Sequence, residues 1–140
     1  HTEIMFTSKG PKIVEIGCRV GGDDLLDTLW RVTGVNMMYE VIQVALGVPR
    51  RYRIRTRTHT AMRFFLPEKG GIVTAITIAP GLKEAPFLSE LAIEVQPGNR
   101  VALPPDSFES MGYVSVHGKT PDEAWKHLET ACRYVSFEIQ

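Results

Sequence analysis

Two runs rich in β-branched and apolar residues, Thr2 to Thr7 and Lys12 to Ile16, flank Ser8-Lys9-Gly10-Pro11. Glycine and proline between such runs force a tight reversal, so residues 2–16 are expected to form an antiparallel hairpin. A hairpin also fixes which side chains face each other. Glu3 and Glu15 come from its opposite strands, so their carboxylates can oppose one another across the ladder. Two acids on one face repel unless a cation lies between them. Mg²⁺ suits that place, because one or two carboxylates hold it while water and phosphate oxygens complete its shell. The alternative is that both acids point to solvent and pair with Lys9 or Lys12.

After the hairpin the hydrophobic period lengthens. Asp23 or Asp24 can N-cap a helix running to Trp30–Thr33, with Gly34 as its stop and Leu25, Leu26, Leu29 and Trp30 as its apolar stripe. Asn36 is placed to start a second helix, with Met38, Val41, Ile42 and Ala45 at helical spacing and Gly47 as its C-cap. Gly47-Val48-Pro49 then breaks the pattern, and a domain boundary is expected there, dividing residues 1–49 from 50–140.

Beyond the break the period is mostly two. Ala61 to Leu66, Gly71 to Ile78, Leu88 to Val95, Arg100 to Leu103 and Tyr113 to His117 read as strands separated by Gly- and Pro-marked turns. They predict an antiparallel sheet of four or five strands. Thr120-Pro121-Asp122-Glu123 is a capping-box signature with proline at the first helical position. Trp125, Leu128, Cys132 and Val135 recur behind it at i, i+3, i+7 and i+10, a face suited to covering a sheet. The fold class is therefore α+β: a hairpin with two helices, then a small antiparallel lobe covered by a C-terminal helix.

Composition narrows the function. The 140 residues carry 16 basic and 16 acidic side chains, a balance that argues against a general polyanion binder. Cys18 and Cys132 make no metal or disulfide spacing, so a reducing, cytoplasmic setting is the default. Apolar runs are too interrupted to span a membrane, and His1, His59, His117 and His127 show no zinc spacing. The chain opens directly in strand-like alternation without an initiator Met, which predicts a fragment of something longer, processing being the alternative.

Arg19 follows Glu15 in the loop after the second strand, where its guanidinium could fork onto a phosphate oxygen beside a metal. Gly21-Gly22 leaves backbone N–H groups open ahead of a helix N-terminus, which favours an anion. Cys18 beside them reads as a small loop residue.

Three stretches, H-T-E-I-M, then G-P-K-I-V-E-I-G-C-R-V-G-G-D, then T-G-V-N-M, resemble the end of the ATP-binding domain of ATP-grasp carboxylate–amine ligases. The strand-rich tail closing G-Y-V-S-V-H-G-K-T-P-D-E-A-W-K-H-L is similar to the small C-terminal lobe of the L-amino-acid ligase branch. The resemblance implies Glu3 and Glu15 as ligands of Mg²⁺ (or Mn²⁺), with ATP as co-substrate. It implies Arg19 as the catalytic, phosphate-contacting arginine. Gly21, Gly22 and Asp23 fall where the family contacts phosphate or the acceptor substrate. The implied reaction activates a carboxylate as an acyl phosphate, which an amine attacks to give an amide or peptide bond, with amino acids as substrates. One position departs: the family's Asn between Glu and Arg is Gly17, so a neutral oxygen ligand is missing. The upstream ATP clamp is absent from these residues, so the rest of the same polypeptide is an expected partner and the chain alone is not expected to turn over ATP.

Two other classes stay open. Gly17 favours a non-catalytic binding or assembly module derived from the ligase shape. Arg50, Arg51, Arg53, Arg55 and Arg57 form the one basic cluster, and an RNA-binding fragment could use it, although Tyr52 is its only aromatic. A linker or a surface pairing with another domain's acids fits that cluster better. A homodimer also stays open.

Overall fold

The computed structural model describes residues 1–48, 54, 56 and 58–140. The arginines at 50, 51, 53, 55 and 57, and the strand face expected of them, lie outside the described residues. Two compact units are present, His1–Arg57 and Thr58–Gln140.

In the first unit, β1 (Thr2–Thr7) pairs antiparallel with β2 (Gly10–Ile16) through a two-residue turn at Ser8-Lys9. The Thr7 hydroxyl accepts from Lys9 N at 3.1 Å and donates to Gly10 O at 2.9 Å. Gly10 sits at φ 91°, a conformation that glycine adopts without strain. The turn is thus tighter than the four residues expected from the sequence, and Pro11 lies in the strand opposite Phe6. The ladder shifts after Glu3: Glu3 faces Glu15 but Ile4 faces Ile13, so Val14 is an extra residue in β2. Such a bulge re-aims the side chains beyond it.

α1 (Leu25–Thr33) ends as expected, with left-handed Gly34 donating to Trp30 O at 2.7 Å. Its start differs. Asp24 occupies the N-cap position, but Asp23 and Asp24 are both left-handed, at φ 54° and 62°, and no side-chain cap bond forms. Side-chain capping needs an extended N-cap residue, which this backbone does not provide. α2 (Met37–Ala45) is capped as expected, Asn36 Oδ1 accepting from Tyr39 N at 3.1 Å. Leu46 is its C-cap, and left-handed Gly47 follows it.

None of the apolar residues described in this unit is buried. Phe6 is 85% exposed and Ile16 68%, and Leu25 and Trp30 of the expected helix stripe are exposed too. A lone hairpin is marginal in water, and apolar side chains bared along it and both helices mark surfaces built to be covered.

The second unit holds its own core. β3 (His59–Phe64), β7 (Gly112–Gly118) and β5 (Leu88–Ile93) form one antiparallel sheet in the order β3-β7-β5. β6 (Arg100–Val101), β4 (Gly71–Ile78) and β8 (Val135–Ile139) form another in the order β6-β4-β8. Two three-stranded sheets thus replace the single sheet of four or five strands. α3 (Pro121–Cys132) packs on β7 and β3, burying Ala124, Leu128 and Ala131, and the last two cluster with Val114, Val116 and Leu82. Trp125 stays half exposed, with the Arg63 guanidinium 5.8 Å from its ring centroid.

Val135 belongs to β8, opposite Ile78, and not to the helix. The helix closes at Cys132, where Arg133 and Tyr134 turn back onto Thr130 O and Ala131 O. Val135, Phe137 and Ile139 then alternate with exposed Ser136 and Glu138. Among the described residues no helix is long and apolar enough to cross a membrane.

Candidate functional site

Strand pairing assembles the candidate site. Glu3 and Glu15 are direct partners in the β1–β2 ladder, and His1 continues it, Gly17 N donating to His1 O at 3.0 Å. Alternation puts His1, one residue ahead of β1, on the same face as Glu3. One potential donor atom from each of His1, Glu3 and Glu15 lies within 4.8 Å of the others. His1 Nε2 stands 3.8 Å from Glu3 Oε1.

Arg19 reaches back over this cluster. Its Nη2 lies 3.4 Å from Glu15 Oε1, and Nη1 donates to Val20 O at 3.2 Å. Among the described residues neither Glu3 nor Glu15 pairs with Lys9 or Lys12; the partners are His1 and Arg19. Both members of the Arg19–Glu15 pair are about half exposed, so the contact contributes no more than ~1 kcal/mol and either side chain can leave it for a stronger partner.

Gly17 explains how closely these groups gather. A Cβ there would meet Arg19 Cγ at 3.3 Å and Glu15 Oε1 at 3.6 Å. Gly21 and Gly22 follow in the loop, and Gly22 O accepts from Leu25 N at 3.1 Å as α1 begins. Asp23 stands outside the His1–Glu3–Glu15 cluster. Cys18 is exposed and free. Next to this loop opens a cleft of about 1150 Å³, lined by Leu25, Leu29, Met37 and Val41, with Arg19 and Glu40 among its polar side chains. Glu40 is the one buried acid in the described residues, at 9% exposure.

The donor set suits a hard divalent cation. Two carboxylates offer oxygen, and their exposure leaves room for water or phosphate oxygens to complete a shell. Sequence reasoning missed His1 because it searched for zinc spacing between histidines. The signal was the His-x-Glu spacing, which sets both residues on one strand face.

The sequence pattern of the L-amino acid ligase C-terminal domain 2 family matches residues 63–140, more than half of the chain. Two solved structures share the fold over essentially its whole length. The L-amino acid ligase from Bacillus licheniformis superposes with a TM-score of 0.84 at 18% identity, covering 100% of this chain and 36% of that one. Phosphoribosylglycinamide synthetase from Anaerococcus prevotii superposes with a TM-score of 0.74 at 14% identity, covering 99% of this chain and 36% of that one. The chain therefore spans about a third of each. No curated protein sequence matches it. By its matching domain the chain belongs to the L-amino acid ligase C-terminal domain 2 family, and its fold is that of the C-terminal part of an ATP-grasp ligase.

Proposed function

We propose that residues 1–49 are the end of an ATP-grasp domain and 50–140 the small C-terminal lobe of an ATP-dependent ligase that joins amino acids through an acyl phosphate. One observation carries this reading: Glu3 faces Glu15 across a two-stranded ladder with Arg19 3.4 Å from the second carboxylate. Opposed carboxylates repel, and a cation between them would offset that cost.

Glu3 and Glu15 would hold Mg²⁺ or Mn²⁺. A cation held there would supply charge neutralisation for ATP phosphate oxygens. Arg19, freed from its weak pair with Glu15, offsets charge that develops on the transferred phosphoryl group. The backbone of Gly21 and Gly22, without side chains to block approach, lies ready for phosphate or the acceptor substrate. Asp23, next in that loop, would share the contact with phosphate or the acceptor substrate. The substrate carboxylate takes the phosphoryl group, the amine attacks the resulting acyl phosphate, and ADP and phosphate leave.

The uncovered apolar surface of the first unit supports placing it within a longer polypeptide that supplies the remaining ATP contacts. The test uses the whole protein with ATP, Mg²⁺ and pairs of amino acids, with hydroxylamine added to trap the acyl phosphate as a hydroxamate. Amino-acid-dependent hydroxamate, lost in Glu15→Gln, is the expected result. ADP release without hydroxamate would exclude the acyl-phosphate route. Absence of both Mg²⁺-dependent ATP binding and ADP release would favour the non-catalytic module that Gly17 suggests.

A further inference from the structure

We propose that the second unit carries a binding site for a free α-amino acid with an apolar side chain, in the groove between the end of β3 and β8. The site lies wholly within residues 63–139 and does not rest on the reading of Glu3, Glu15 and Arg19.

The groove encloses about 690 Å³, a volume in the range of small-molecule sites. Its walls are tied down on both sides. Phe65 N donates to Gly112 O at 2.8 Å, and Phe65 O accepts from Met111 N at 2.7 Å, so the chain stays bonded to its neighbour past the end of β3. Ile72 N donates to Gln140 O at 2.6 Å, and Gln140 N to Ile72 O at 2.9 Å. That pair fixes the exit of the 67–70 turn beside the end of β8. Pro67, at the start of the turn, is buried. A groove formed before its ligand arrives avoids the entropy cost of ordering it.

The floor and the rim differ in chemistry. Phe65 and Phe137 form a tilted ring pair with centroids 5.4 Å apart, beside buried Met111 and Val135. Around them the groove is lined by Arg63, Glu68 and Lys69. All three are exposed, and none of them forms an ion pair with a described residue. Arg63 rests its guanidinium 5.8 Å from the Trp125 ring centroid, which restrains the side chain without occupying it with a carboxylate.

These charges select the ligand class. Glu68 and Lys69 are consecutive, so an acid and a base stand side by side on one turn. An α-amino acid carries its ammonium and its carboxylate on one carbon, the same close pairing with the signs exchanged. Arg63 adds a second base that can fork onto the carboxylate. A carboxylic acid without the ammonium would meet Glu68 with nothing to offset the repulsion. An amine without the carboxylate would meet Arg63 and Lys69 in the same way. A longer peptide sets its two termini too far apart for adjacent side chains. The apolar side chain of the ligand then covers Phe65 and Phe137, where aromatic burial adds to the affinity.

L-phenylalanine serves as the probe, titrated without ATP into the whole protein carrying ¹³C-labelled Ile, Leu, Val and Met methyl groups. Methyl signals of Leu66, Met111, Val135 and Ile139 report the groove, and those of Leu25, Leu29, Met37 and Val41 report the cleft of the first unit. The groove methyls should shift saturably with L-phenylalanine, and about tenfold more weakly with 3-phenylpropionate or phenethylamine, each lacking one charge. Glu68→Gln should weaken L-phenylalanine by about fivefold yet tighten 3-phenylpropionate, a reversal that loss of folding would not produce. Lys69→Ala should weaken both carboxylates. Silent groove methyls up to the solubility limit of L-phenylalanine would overturn the proposal, as would shifts confined to the first unit's cleft. Equal affinity for the three probes would overturn it too, since the groove would then take any apolar ring regardless of charge.

Discussion

Gly17 lies within contact range of the Arg19 side chain: a Cβ at position 17 would stand 3.3 Å from Arg19 Cγ. The obstacle is a half-exposed, flexible side chain and not backbone, so it can give by a few tenths of an ångström. Gly17→Asn should therefore fold normally and set an amide oxygen beside Glu15. An added neutral oxygen donor is expected to tighten Mg²⁺ binding by about tenfold, ~1.4 kcal/mol. Calorimetric titration of the whole protein checks this. Weakened binding would mean that position 17 must stay empty for Arg19 to reach Glu15.

Arg19 separates stability from chemistry. Its pair with Glu15 is exposed on both sides, so Arg19→Ala should shift unfolding by less than ~1 kcal/mol. If the guanidinium meets developing phosphoryl charge, turnover should fall about 10²- to 10³-fold, the usual cost of removing one such donor. Arg19→Lys should recover only part of that, since an ammonium cannot fork onto two oxygens. The check is kcat beside thermal unfolding for both variants. Full activity in Arg19→Ala would remove Arg19 from the mechanism.

What was legible in the sequence had a local cause. Gly10 between alternating runs gave the hairpin, and the hairpin placed Glu3 against Glu15. Asn36 and Thr120 announced helix starts because their side chains accept from a nearby backbone N–H. The bulge at Val14 and the left-handed pair Asp23-Asp24 were not legible, because valine carries no bulge signal and an aspartate before a helix ordinarily reads as an extended N-cap. Val135 misled because Trp125, Leu128, Cys132 and Val135 match helical spacing as far as residue 135. Val135-Phe137-Ile139 carries a period of two as well, and pairing with Ile78 decided between them. His1 was missed because its meaning depends on Glu3 two residues away.

Leu128 anchors the second unit. It is 1% exposed in the cluster with Val114, Val116 and Ala131. Leu128→Ala leaves a cavity under α3, and the expected loss is about 2–5 kcal/mol. Trp125→Ala, three residues earlier on the same helix but half exposed, should cost well under half as much. Urea unfolding of the two variants tests the order; equal losses would mean that the helix packs through Trp125 instead.

The start of α3 is capped from both sides, with Glu123 reaching one residue past the N-cap Thr120. Thr120 Oγ1 accepts from Glu123 N at 3.1 Å, while Glu123 Oε2 accepts from Lys119 N at 2.7 Å. Thr120→Ala removes one acceptor and should destabilise by ~1 kcal/mol, and Thr120→Ser should restore most of it. Unfolding midpoints of the two variants report this. A silent Thr120→Ala would show that solvent caps the helix as well as the hydroxyl does.

Gly118 ends β7 where α3 begins to pack across it. A Cβ at this position would stand 2.5 Å from Ala124 N and 3.0 Å from both Ala124 Cα and Glu123 C. All three are backbone atoms of the first helical turn, so no rotamer change relieves the overlap and the helix itself must shift. Gly118→Ala should therefore cost about 2–3 kcal/mol or more, at the upper end of overpacking substitutions. The cause is space and not conformation, since Gly118 is not among the positive-φ glycines. This distinction can be measured. Adding Ala124→Gly removes a methyl group but leaves the offending N and Cα in place, so the double variant should unfold no later than Gly118→Ala alone. Recovery of stability in the double variant would place the clash on the Ala124 side chain and show that the backbones of β7 and α3 can separate.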